Sequence, residues 1–116
     1  MEKKFRPVLS VRIFRDEKCF GPGVAELLRR VRSEKSLRAA AISMSMAYSK
    51  AWTVIKNSEA ALGFPLLIST TGGKHGGGAS LSPEAEKLLA AYDGYCTAVR
   101  EFAAAEFDRA FAEILT

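Results

Sequence analysis

At 116 residues, with 48% of them hydrophobic, the chain can form one compact domain, or one domain plus a long appended helix, but it has no room for a second globular domain. Its net charge of +4 is unevenly placed: residues 1–81 hold 14 Lys and Arg against 6 Asp and Glu, whereas residues 82–116 hold 3 against 7. A polyanion would meet the first part and avoid the second, although charge alone fits an ordinary uneven surface equally well.

The residues from Met1 to Pro7 lack the apolar run of a secretory signal, and no stretch of about 18 apolar residues occurs, so a soluble intracellular protein is expected. Val8 to Arg15 alternates, with Leu9, Val11 and Ile13 on one face, and reads as a half-buried strand turned by Asp16 to Lys18. Phe20-Gly21-Pro22-Gly23 then leads into a helix over Val24–Arg32, whose apolar side is Leu27, Leu28 and Val31 and whose arginines 29, 30 and 32 face out or flank it. Ser33 to Lys35 break that helix.

Ser36 to Ser58 reads as helix, turn, helix. Ser36 is a natural N-cap. Leu37, Ala40, Ala41 and Met44 share one face of the first helix, and Ala51, Val54, Ile55 and Ser58 share one face of the next, so the two can close on each other. Ala40 and Ala41 are small enough to let the axes approach. With the later helix starting near Ala47, its opposite face carries Tyr48, Ser49, Trp52, Thr53 and Lys56, with Lys50 at the flank. This arrangement is expected of a DNA-reading helix: Tyr48, Ser49 and Thr53 for base edges, Lys50 and Lys56 for phosphates. Taken alone, the two lysines read equally as a solvated face. Trp52, the only tryptophan, reads as packed against the first strand or the following hairpin more than as a DNA contact.

Gly63 and Pro65 end the helical pattern. Phe64 to Thr70 and Ala79 to Leu81 read as two strands of a hairpin, joined by Gly72-Gly73-Lys74-His75-Gly76-Gly77-Gly78. A hairpin directly after a recognition helix is a wing, and a glycine-rich tip bearing Lys74 and His75 can follow a sugar-phosphate backbone closely because few side chains obstruct it.

Ser82-Pro83-Glu84 starts a helix with a capping Ser, Pro at the first position and acid in the first turn. No strong stop follows, and about 33 residues of helix would be on the order of 50 Å long. Leu88, Tyr92, Tyr95, Val99 and Phe102 repeat with coiled-coil spacing, and Phe107, Phe111 and Ile114 continue the stripe after a phase shift at Glu106. Residues 85–96 are expected to pack on the domain itself. Beyond Val99 the expected partner is a second copy of the chain, with Tyr95, Val99, Phe102, Phe107, Phe111 and Ile114 forming the dimer interface.

Catalysis finds little support. The glycine loop has neither GxxxxGK[ST] nor GxGxxG spacing, and it does not run into a helix N-terminus. His75 is the only histidine, and no carboxylate pair or nucleophile–base set stands out. Cys19 and Cys96 have no metal-ligand spacing and read as free thiols of a reducing cytoplasm. We expect no enzyme activity, no cofactor and no metal.

Several of these segments resemble the N-terminal winged helix-turn-helix domain of ModE-type molybdenum-dependent transcriptional regulators, which is related to the LysR-type domain. The resemblance rests on Phe20-Gly21-Pro22-Gly23, Ala40-Ala41, the pattern Y-x-x-A-W at Tyr48, Ala51 and Trp52, Gly63-x-Pro65-Leu66, and T-G-G-K-x-G-G-G-A-x-L from Thr71 to Leu81. It implies a dimeric bacterial DNA-binding protein whose recognition helix enters the major groove and whose wing touches the flanking backbone. Three departures stand out. Ala47 replaces the usual capping Ser, leaving Ser45 as the substitute; Ile68-Ser69-Thr70 lacks the basic residue that often precedes the wing; and the chain ends after its long helix, where the full regulators continue into molybdate-binding domains. Response to molybdate would then require a partner protein, or the protein regulates without it.

The expected fold is mainly α with a small β-hairpin wing: a winged helix-turn-helix over residues 1–81 and a long dimerisation helix over 82–116. The expected function is a homodimeric, ModE-like transcriptional regulator on a two-fold symmetric operator. The alternative is an interaction module that pairs through its long helix with a full-length regulator.

Overall fold

The computed structural model describes residues 4–70 and 78–115. Its elements in order are β1 (Ile13–Arg15), β2 (Glu17–Phe20), α1 (Pro22–Glu34), α2 (Leu37–Ser43), α3 (Tyr48–Leu62), β3 (Leu67–Thr70), β4 (Gly78–Leu81) and α4 (Pro83–Phe111). Three helices, a hairpin after the third and a long closing helix make a winged helix-turn-helix with an extension, as the sequence patterning predicts.

The N-terminal region departs from the single strand expected over Val8–Arg15. Only Ile13–Arg15 joins a ladder, and its partner strand, Glu17–Phe20, begins inside the segment Asp16 to Lys18 that reads as a turn. Asp16 makes the reversal at φ 65°, a left-handed conformation that Asp tolerates better than most residues. Among the described residues no strand lies beside those before Ile13, so the alternating pattern is present without a ladder. Leu9 and Ile13 are exposed and Val11 half-buried, held by the Tyr92 hydroxyl, which donates to the Val11 carbonyl at 2.8 Å.

Burial follows the helical spacing. Leu27, Leu28 and Val31 of α1, Leu37, Ala40 and Ala41 of α2, and Ala51 and Ile55 of α3 close on one core with Phe20 and Leu66. Ser36 caps α2 by accepting from the Ala39 N–H at 3.1 Å. At the other end of α2, Ser45 adopts φ 54°; its N–H reaches the Ile42 carbonyl and the Met46 N–H reaches that of Ala41. This pair of bonds around a left-handed residue stops α2 sharply and swings the chain into α3, at a position where Gly is the usual choice. Ser45 is therefore committed to ending α2. It does not cap α3, whose start at Ala47 has no side-chain cap.

The wing is fastened at its root from three sides. The Glu59 carboxylate on α3 accepts the Leu66 N–H at 2.7 Å and the Leu67 N–H at 3.3 Å. The Ala79 N–H donates to the carbonyl of Lys35, the left-handed residue that ends α1. A Cβ on Gly78 would come within 2.7 Å of that carbonyl oxygen and of the Thr70 hydroxyl, so glycine is required there by close approach. Ser82, 1% exposed, is the third tie: its N–H donates to the Leu66 carbonyl, and its hydroxyl donates to the Pro65 carbonyl at 2.6 Å while accepting the Ala85 N–H at 2.9 Å. β3 and β4 pair antiparallel from Leu67↔Leu81 to Thr70↔Gly78.

α4 leaves the body partway along. Ala85, Leu89, Tyr92 and Cys96 are buried, with Tyr92 edge-on to Phe20 at 5.0 Å between ring centroids. Arg32–Glu86 at 2.8 Å and Arg29–Asp93 bind α4 to α1. After Cys96 no α4 residue is buried, and its 29 residues, roughly 43 Å at the rise of a helix, carry it well past the core. The coiled-coil stripe is thus divided: Tyr92 serves the domain's own core, whereas Tyr95 and Phe102 are exposed.

Candidate nucleic-acid interface

α3 turns Ala51, Ile55 and Ser58 into the core and leaves Tyr48, Ser49, Lys50, Thr53 and Lys56 exposed. All five residues expected to meet DNA from this helix therefore lie on accessible surface. Trp52 corrects the sequence reading. It is 49% exposed and stands between Tyr48 and Lys56 on the outer face, with the Lys56 ammonium 5.5 Å from its ring centroid. The reason is angular: Trp52 follows the fully buried Ala51 by one residue, about 100° around the helix, and that turn carries its side chain off the core side.

α2 adds a residue to this face. The Arg38 guanidinium carbon lies 4.3 Å from the Tyr48 ring centroid, a cation–π stack that orients both groups. Lys56 has a second attachment, with its ammonium 3.4 Å from a Glu59 carboxylate oxygen. The α3 start also contributes its backbone: without a side-chain cap at Ala47, the first-turn N–H groups are left to water or to a ligand. The arrangement presents aromatic surface, hydroxyls and fixed cations along one ridge, with the wing root rising beside it.

Not all the basic residues of the body are free to face a polyanion. Arg29 is tied to Glu26 and Asp93, Arg30 to Glu26 and to the Ser43 carbonyl at 2.8 Å, and Arg32 to Glu86. These three arginines hold α1 to α2 and α4, and the basic groups of the interface come from α2 and α3. Lys74 and His75, the expected wing contacts, lie outside the described residues.

Residues 24–86, from α1 through the wing to the first turn of α4, match the model of the bacterial regulatory helix-turn-helix proteins of the lysR family. The chain belongs to that family. Two curated relatives place this lysR-type domain further. It is 39% identical over 66 residues to the molybdenum-pterin-binding protein MopB of Rhodobacter capsulatus, an alignment covering 57% of this chain and 24% of MopB. It is 36% identical over 72 residues to the transcriptional regulator ModE of Haemophilus influenzae, covering 62% of this chain and 28% of ModE. The chain thus spans about a quarter of the length of each relative. The ModE resemblance read from the wing and the Y-x-x-A-W pattern stands on these alignments, and the matched family is one of bacterial regulatory helix-turn-helix proteins.

Three features of this domain escape the sequence reading. Arg38 is the only charged residue of α2 and follows buried Leu37, a signal available in the periodicity. Glu59 looks like any exposed acid until β3 is seen to end its amides on it. The requirement for Gly78 depends on Lys35, 43 positions earlier, and no local pattern reveals it. Among the described residues no group of three metal-ligating side chains occurs, and no helix is long and apolar enough to cross a membrane.

Proposed function

We propose that the protein binds a two-fold symmetric operator as a homodimer and regulates transcription there, as a ModE-like regulator. The observation that carries this reading is the outer face of α3, where Tyr48, Trp52 and Lys56 stand exposed on a helix whose opposite face is locked in the core. Tyr48, Ser49 and Thr53 meet base edges in the major groove, Lys50 and Lys56 meet phosphates, and Arg38 holds Tyr48 in place. Trp52 lies against thymine methyl groups or sugar, and Lys74 and His75 on the wing follow the flanking backbone. The labour divides at residue 82: residues 1–81 read DNA, and residues 82–116 join two copies through Tyr95, Val99, Phe102, Phe107, Phe111 and Ile114.

The exposed distal α4 also supports a second reading, in which the chain pairs with a full-length regulator and modulates it with weak DNA affinity of its own. The name of MopB further motivates a molybdate-binding partner protein as the source of the signal. Fragments of genomic DNA captured by the purified protein, with and without molybdate, give the operator and test the link. On that operator, Lys50→Ala with Lys74→Ala weakens binding and flattens its salt dependence by about two phosphate contacts. Operator binding unchanged in the double variant removes the DNA-reading assignment.

A further inference from the structure

Among the described residues, thirteen large apolar side chains are exposed, and they fall into separate groups. Ile42, Tyr48, Trp52 and Ile68 lie on α2, α3 and the wing. Five lie between Phe5 and Phe14, and four lie on or just past α4, from Tyr95 to Ile114. The last two groups do not cover each other within one chain: Phe5 and Val8 are 60% and 77% exposed, Phe102 and Ile114 70% and 75%. Their charges are opposite. Residues 4–15 contain Lys4, Arg6, Arg12 and Arg15 and no acid, whereas residues 101–113 contain Glu101, Glu106, Asp108 and Glu113 against Arg109.

The N-terminal segment is laid down where α4 leaves the body. Leu9, Ser10 and Val11 form one wall of a cleft of about 330 Å³; Tyr92, Cys96, Val99 and Arg100 of α4 form another. One side-chain hydrogen bond, from the Tyr92 hydroxyl to the Val11 carbonyl, ties the segment to α4. A straight helix cannot turn back into its own cleft. A second copy of that helix can enter it: in an antiparallel pair crossing near Phe102, a residue some ten positions beyond the crossing lies beside the residue ten positions before it. The end of the partner's helix, at Phe111 and Ile114, then arrives beside Tyr92 and Val11.

We propose that the N-terminal segment of each protomer clasps the distal half of α4 of a second copy, with the end of that helix seated in the cleft between Leu9–Val11 and α4. This rests on the homodimer reading and adds to it. The helix pair alone would leave Phe5 and Val8 bare; the clasp covers them with the apolar end of the partner's helix and sets Lys4 and Arg6 against Glu106, Asp108 and Glu113.

Mixed disulfide trapping in the full chain separates the clasp from the dimer. Phe102→Cys tests the helix crossing by linking to itself; differently tagged Val8→Cys and Ile114→Cys copies, mixed and oxidised, test the clasp. Cys19 and Cys96 are buried, and the parent protein gives the background. Both links forming supports the clasp. The Phe102→Cys link forming without the Val8→Cys to Ile114→Cys link overturns the clasp and leaves the dimer standing. Neither link forming, with sedimentation showing monomer, overturns the dimer and the clasp together. As an independent measurement, Lys4→Glu with Arg6→Glu should weaken dimerisation about tenfold, and Glu106→Lys with Asp108→Lys in the same chain should restore it. Weakening without that restoration counts against the clasp.

Discussion

α3 and α4 are both amphipathic helices following a sharp turn, yet their starts are built in opposite ways. α4 opens on Ser82, whose buried hydroxyl is used twice, with Pro at the next position and Glu84 and Glu86 in the first turn. α3 opens on Ala47, with no side-chain cap and no acid in its first turn. The first start is closed by the protein. The second leaves its amides and its positive dipole end unneutralised beside Tyr48, Ser49 and Lys50, which suits an anionic ligand such as phosphate. The two helices then diverge along their length: α3 is held on its inner side with an aromatic and basic outer face, whereas α4 is held only over its first half and ends bare and acidic.

The contrast is tested most strongly in the two packed faces. Leu89→Ala, on the held half of α4, removes a side chain 1% exposed and should lower unfolding stability by about 2–5 kcal/mol in a urea titration. Trp52→Ala, on the open face of α3, should leave the same transition within about 0.5 kcal/mol while weakening operator binding. A large stability loss at Trp52 would mean that it supports the fold after all.

The starts themselves come next. Ser82→Ala removes a cap and leaves the Pro65 carbonyl and the Ala85 N–H unpaired at a buried point, so a loss of about 2 kcal/mol is expected. Ala47→Ser supplies the missing cap of α3 and should raise thermal stability by about 0.5–1 kcal/mol. If the open start serves a phosphate, operator affinity falls or stays level as stability rises. Affinity that rises in step with stability would show the bare start to be a simple weakness of the fold.

Much of this contrast can be read in the residues themselves. Ser-Pro-Glu announces α4, the Ala and Leu spacing of α2 places its core face, and Gly63 marks the end of α3. What cannot be read depends on distance along the chain or on a one-residue rotation. Trp52 looks like a core residue by type and becomes a surface residue only because Ala51 takes the core position. The strand pattern at Val8–Arg15 is real as a pattern, but whether it becomes a ladder depends on a neighbour, and Glu17–Phe20 reaches only Ile13–Arg15. The arginines of α1 count as basic surface in a charge tally and are instead spent on Glu26, Glu86, Asp93 and Ser43.

Those arginines give the smallest and most specific prediction. Hydrogen bonds from Arg30 and then Arg29 hold the Glu26 carboxyl below the usual carboxylate range, against a smaller opposing effect of burial. A carboxyl that is more acidic in the folded chain than in the unfolded one stabilises the fold above its unfolded pKa and loses that contribution as pH falls through the folded value. Urea midpoints of the parent protein and of Glu26→Gln should therefore differ at pH 7 and converge as the pH is lowered through the acid range. The group is largely solvent-screened, so the separation should be modest. The same comparison should leave the outer face of α3 untouched: Glu26 links Arg29 and Arg30 on α1, and operator affinity at pH 7 should stay within about twofold when stability is in excess. A loss of affinity larger than this would mean that Arg30, freed from Glu26, no longer holds the end of α2 at Ser43, and that the angle between α2 and α3 depends on the ion pair.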